Sequence, residues 1–170
     1  MIALGVTPGI SSVGYCVLEY NGNCKCDPLD ADILPGSRLV KGELTLAQLV
    51  KRFQVHRMLL SVVWERHLPL VLAIGPPAGR EPPVNAETAA GILASLGVAF
   101  GVPVIHVSRK ELQKAFHCNQ KRKLAAVVGQ NLLHPIGSRD KRLVAAAATA
   151  MYGVAVHGGG EGLLSAGLDE

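Results

Sequence analysis

An apolar run from Met1 to Val6 is broken at Thr7-Pro8-Gly9 by residues that turn a backbone, the pattern of a short buried strand. Gly14 to Tyr20 reads as a second strand and Asn21-Gly22 as a hairpin turn. Asn23 to Leu34 then returns as a third strand, with Pro28 and Pro35 as its weak points. Thr45 and Gln48 have capping-box spacing. The helical recurrence of Leu46, Leu49, Val50, Phe53, Leu60 and Trp64 after them predicts one long amphipathic helix ending near Glu65. Leu70 to Ile74 is uniformly apolar and stops at Gly75-Pro76-Pro77, as a central parallel strand does. Asn85 opens a second helix that runs to about Phe100, and Val102 to Val107 is a further strand. Ser108 with Glu111 forms another capping box before Leu112 to Phe116. Asn119 caps a helix through about Leu133, and Ser138 caps a last, alanine-rich helix.

Strands separated by helices predict an α/β protein, and composition sharpens that picture. Of 170 residues, 49% are hydrophobic but only 4% aromatic, so the core is built from aliphatic side chains, and stacking on exposed rings is excluded as a general binding mode. This length suits one domain, expected over residues 1–157. Residues 158–170, starting at Gly158-Gly159-Gly160, lack periodicity and read as a flexible glycine-rich tail. Four cysteines are too few for a disulfide scaffold, which favours a reducing compartment, and Cys24-Lys25-Cys26 lacks the further ligands a metal site needs. The first residues lack a basic leader, and the longest apolar stretch, Leu143 to Val156, is too short to span a bilayer; a cytoplasmic protein is expected. The six histidines are dispersed and read as structural or solvent-facing.

Charge is unevenly placed. Residues 109–142 carry Arg109, Lys110, Lys114, Lys121, Arg122, Lys123, Arg139, Lys141 and Arg142 against only Glu111 and Asp140. That segment holds +7 where the whole chain holds +4, so the remainder is at −3. These nine residues are the candidates for contact with a polyanion, weighed against an ordinary solvated surface near helix ends.

The opening hairpin, with Gly5-Val6-Thr7-Pro8-Gly9 ending its first strand and Gly14-Tyr15 opening its second, resembles the start of the RuvC family of Holliday junction resolvases. Leu72-Ala73-Ile74-Gly75, the helix from Ala86, Val104 to Val107, Ser108-Arg109-Lys110, the Lys121 helix and the final alanine-rich helix follow in family order. The resemblance implies an RNase H-like fold: a mixed five-stranded sheet, its first three strands antiparallel, flanked by helices on both faces. It also implies a role in DNA recombination and repair, and a homodimer joined through the helix Gly91 to Gly101, for which close packing within one chain is the competing reading.

Members of that family cut phosphodiesters with divalent cations held by four acidic side chains, a chemistry that needs several oxygen ligands around closely spaced metals. The matching positions here are Thr7, Gly75, Asp140 and Leu143, so three of the four carboxylates are absent and the active site is degenerate. Asp140 is the single matched candidate ligand, with an ion pair to Arg139, Lys141 or Arg142 as its competing role. Thr7 offers a hydroxyl, and Glu81 and Glu87 are conceivable replacement acids, Glu87 otherwise serving as a favourable charge at a helix N-terminus. Where the family places a junction-contacting aromatic, the loop Gly75-Pro76-Pro77-Ala78-Gly79-Arg80 has none. Lys121 matches a family basic residue, and Gln113 stands in the place of another.

The expectation is a protein that binds branched DNA such as a four-way junction, a pseudo-resolvase without cutting activity and without a cofactor. The alternative is an active crossover junction endodeoxyribonuclease using Mg²⁺ or Mn²⁺ with substituted ligands. A third reading, a small-molecule binder related to sugar kinases of this fold, is disfavoured by the chain's length and by the missing acid in its first loop.

Overall fold

The computed structural model describes residues 1–9, 12–22, 25–35, 44–77, 83–118, 121–137 and 140–158, without the side chains of residues 83, 84 and 121–123. Its elements in chain order are β1 (Ile2–Thr7), β2 (Ser12–Tyr20), β3 (Cys26–Pro35), α1 (Leu46–His67), β4 (Val71–Ile74), α2 (Pro83–Ala99), β5 (Val104–His106), α3 (Arg109–Ala115), α4 (Lys121–Gln130) and α5 (Lys141–Gly158). The strands form one sheet in the order β3-β2-β1-β4-β5. Its first three strands are antiparallel, whereas β4 lies parallel to β1 and β5 parallel to β4.

Alternation along the strands assigns the two faces. Leu4, Val6, Val17, Leu72 and Ile74 pack with Leu49, Phe53, Leu60 and Trp64 of α1 and Leu93 and Leu96 of α2. On the opposite face Ala3, Cys16, Leu18, Val71 and Ala73 meet the alanines and Met151 of α5, together with Leu112 and Phe116 and with Val128 of α4. The residues facing α1 and α2 are large, while directly beneath α5 the strands place Ala3, Gly5, Cys16 and Ala73. A Cβ placed on Gly5 would stand 2.2 Å from the carbonyl oxygen of Ala146 and 2.5 Å from the nitrogen of Ala150, so helix backbone rests directly on β1. Gly153 returns the arrangement from the helix side, its open face lying against Ala73 and Val71.

Local signals explain most boundaries. Thr45 and Ser108 are N-caps with complete capping boxes to Gln48 and Glu111. Strand β3 continues through Pro28 and Pro35 because it is the sheet edge, where missing N–H donors cost little, and the pairing shifts register opposite Val17 and Leu18 to pass Pro28. Its first residue is covered by the chain after α4, through Cys26 N–H to the Asn131 carbonyl at 2.8 Å and Leu133 N–H to the Cys26 carbonyl at 2.9 Å.

Several expectations are corrected. Asn85 does not cap α2: the helix starts at Pro83, whose fixed φ suits a first helical position, so Asn85 lies within it. Glu87 is therefore beyond the first turn. Leu46 and Leu70 are exposed rather than part of the apolar faces, and β5 is three residues long because Val102 and Pro103 belong to the turn that enters it. Asn119, Ser138 and residues 159–170 lie outside the described residues. Cys16, Cys26 and Cys118 are all buried. No helix among the described residues is long and apolar enough to cross a membrane.

Gly5→Ala should lower stability by about 3 kcal/mol, because the atoms it meets are backbone and cannot swing aside. The check is the urea midpoint at unchanged slope. A loss below about 0.5 kcal/mol, the range of an ordinary surface change, would show that α5 stands farther from the sheet.

Candidate functional site at the carboxyl end of the sheet

The parallel strands β1, β4 and β5 all stop at one end of the sheet, the end at which open α/β sheets place their ligand sites. Gly75 follows β4 and donates its N–H to the Val6 carbonyl at 2.8 Å, and Val107 N–H reaches the Ile74 carbonyl at 2.8 Å. Thr7 therefore ends beside Gly75, and helix α3 begins two residues after Val107, with Ser108 between them as its cap. Helix α5 runs antiparallel to β4, since Gly75 faces Thr149 while Ala73 and Val71 face Gly153 one turn later. Its N-terminus thus comes to the same end. The fold brings the four positions Thr7, Gly75, Asp140 and Leu143 towards one place.

Their chemistry is a different matter. Thr7 is fully buried, and its hydroxyl has no hydrogen-bond partner among the described residues. Gly75 has no room for a side chain, because a Cβ there would lie 2.3 Å from Oγ1 of Thr149. That hydroxyl is itself fixed, donating to the Ala145 carbonyl at 2.7 Å within fully buried surroundings. Leu143 is apolar and 4% exposed, on the sheet-facing stripe of α5 one turn ahead of Ala146 and Ala147.

Asp140 carries the remaining carboxylate, and it is engaged twice. As the residue before α5 it caps the helix, Oδ1 accepting the backbone N–H of Arg142 at 2.8 Å. It also receives the Arg142 guanidinium in two-point fashion, from Nε to Oδ1 at 3.0 Å and from Nη2 to Oδ2 at 2.7 Å. The hydrogen bonds from the Arg142 side chain, aided by its backbone N–H and its positive charge, draw the Asp140 carboxyl down to about 2. Nη1 of Arg142 donates to the Ser12 hydroxyl at the start of β2. The cap of α5 is thereby tied to the hairpin. Arg142 can lie down here because the next inward position of β2 is Gly14, whose missing Cβ would be 3.0 Å from the Arg142 Cβ.

This donor set does not fit a hard divalent cation, which takes six or more oxygen ligands, several of them charged or carbonyl. One hydroxyl is buried, one position has no side chain, one is leucine, and the single carboxylate already accepts three N–H groups from Arg142. Among the described residues no three His, Cys, Asp or Glu side chains gather as a metal site would require. Glu87 is exposed on α2, and Glu81 lies outside the described residues.

The basic candidates separate into groups. Arg109, Lys110 and Lys114 are exposed on α3, and Arg109 Nη2 reaches the Pro77 carbonyl at 3.4 Å, so this helix borders the loop after β4. Lys141 is exposed on the first turn of α5, while Arg142 is partly buried in the clamp just described. Lys121, Arg122 and Lys123 form the first turn of α4, with side chains outside the description, as is Arg139. Gln113 is partly buried on α3.

Sequence reasoning had no view of Ser12 as the second anchor of Arg142, nor of Thr149 as the group that closes the Gly75 position. The Asp140-Lys141-Arg142 spacing did carry a signal, since an N-cap acid with a cation two residues on is placed to fold back on itself. Gly75→Ala should cost about 2 kcal/mol alone. In a Thr149→Ala background the cost should fall by about 1 kcal/mol or more, a coupling that a double-mutant cycle in urea measures. Strictly additive costs would mean that the two residues do not touch.

No family model matches the chain, and neither does the sequence of any curated protein. Its structure, however, resembles RuvC of Thermus thermophilus solved in complex with a Holliday junction substrate, with a TM-score of 0.72 and 21% identity over 93% of this chain and 97% of that one. It also resembles the yeast mitochondrial Holliday junction resolvase, at TM-score 0.59 and 15% identity over 95% and 77% of the two chains. A fowlpox virus resolvase solved with Holliday junction DNA matches at TM-score 0.51 and 12% identity over 99% and 100%. The chain has the RuvC-like form of the RNase H-like fold.

Proposed function

We propose that this protein binds branched DNA of the four-way-junction type at the carboxyl end of its sheet and holds it without cutting it. The observation that carries the reading is the Asp140–Arg142 pair: at the place where a nuclease of this fold would need ligands for cations, the one carboxylate is closed by a guanidinium. Around it Lys141 and the α3 residues Arg109, Lys110 and Lys114 offer cations to phosphates, Lys121, Arg122 and Lys123 begin α4, and Arg139 precedes Asp140 in the sequence. The structural likeness to resolvases solved with Holliday junctions supplies the shape of the ligand.

Two copies acting together suit a ligand that has its own two-fold symmetry. Part of α2 supports this. Gly97 is used within the chain, its missing Cβ falling 2.4 Å from Val104 Cγ2, but nothing lies within 4 Å of a Cβ on Gly91, and Ser95 and Val98 on the same side are exposed. The outer face of α1 adds exposed Val55, Met58 and Val62.

A gel-shift series with a synthetic four-way junction and a linear duplex of equal length, at several salt concentrations and with or without Mg²⁺ or Mn²⁺, tests the proposal. The expected result is a junction-selective shift that weakens with salt and yields no cleaved strand. Metal-dependent paired nicks would overturn the loss of cutting in favour of a resolvase with substituted ligands. Absence of binding at low salt would overturn the DNA reading itself.

A further inference from the structure

We infer that Arg142 is the phosphate seat of this site, a guanidinium fixed where the fold would otherwise require a divalent cation, and that Asp140 and Ser12 are positioning residues for it rather than ligands of a metal. The inference rests on the branched-DNA reading above and names the group that reads the phosphate.

A guanidinium has five N–H donors. Among the described residues Arg142 uses three on side chains, two on Asp140 and one on Ser12, which leaves two. The side chain is 33% exposed, so it is open to solvent. Its anchors belong to different elements, the cap of α5 and the first residue of β2, and Ser12 is itself nearly buried. A long side chain that would ordinarily lose much rotamer freedom on binding is therefore already held.

Asp140 offsets much of the charge of Arg142. Long-range attraction then comes from Lys141 and the exposed cations of α3, while Arg142 supplies directed hydrogen bonds at one phosphate. This division of labour predicts opposite effects for the two members of the pair. Arg142→Gln removes the directed bonds, and Arg142→Lys keeps the charge but cannot form the two-point clamp. Asp140→Asn keeps a good N-cap, so α5 stays capped, yet it frees the arginine and adds one net positive charge.

The test is the dissociation constant for four-way junction and for linear duplex, measured by fluorescence anisotropy over a salt series in EDTA. Wild type should retain its junction preference without metal. Arg142→Gln and Arg142→Lys should each lose about tenfold in junction affinity, the scale of a hydrogen bond to a charged group, with little change on duplex. Asp140→Asn should bind duplex more tightly and with a steeper salt dependence, while its junction preference falls. Circular dichroism on each variant establishes folding.

Arginine variants that keep the wild-type junction preference within about twofold, or an Asp140→Asn protein that loses affinity for both DNAs, would overturn the assignment while the branched-DNA reading stands. A junction preference that disappears in EDTA and returns with Mn²⁺ would overturn it in favour of a metal. A wild-type protein that binds neither DNA would overturn the reading beneath it as well.

Discussion

Helix α5 lies on β1 with nothing but glycine between the two backbones at Gly5, and on β4 at a glycine of its own, Gly153. Such an approach leaves no slack: adding one methyl group at Gly5 would put carbon 2.2 Å from a carbonyl oxygen. The helix can neither slide nor rotate without driving an alanine or a carbonyl into the sheet. Its direction, its height above the strands and the point at which its N-terminus emerges all follow. The opposite face needs no such precision, because Leu4, Val6, Leu72 and Ile74 meet α1 and α2 through large side chains that can adjust.

What that fixed helix delivers to the sheet end is a cap rather than a metal cradle. Asp140 accepts the N–H of Arg142 and so starts the helix, and the arginine folds back over the same carboxylate before reaching Ser12. The same close packing that aligns the helix removes the second ligand position, since Thr149 stands where a side chain on residue 75 would have to begin. Thr7, Gly75, Arg142 and Leu143 are therefore mutually consistent: small or apolar groups fill the floor, and the remaining acid is balanced from its own helix. A carboxylate placed at position 75 would meet a steric block, and the one at Asp140 already holds a competing cation in Arg142.

Much of this was legible in the residues. The uniform apolar runs named the central strands, and the capping boxes at Thr45 and Ser108 fixed two helix starts. The resemblance of the Thr7, Gly75 and Ser108-Arg109-Lys110 segments placed them on one fold. The helix start at Pro83 was hidden because Asn85 offered a good local cap for a start at Ala86, and local propensity cannot choose between two starts three residues apart. The contact of Arg142 with Ser12 joins residues 130 positions apart, and the block of Gly75 by Thr149 is likewise set by how α5 crosses the sheet. No periodicity reports such pairings.

Manganese titrated into isotope-labelled protein, with paramagnetic broadening read at the amides of Thr7, Gly75, Asp140, Lys141, Arg142 and Leu143, tests the central point most directly. If the guanidinium of Arg142 stands in the place of a cation, these signals should broaden no more than those near an exposed acid such as Glu87. Selective, saturable broadening of this set would show that Asp140 releases Arg142 to hold a metal, and would contradict it.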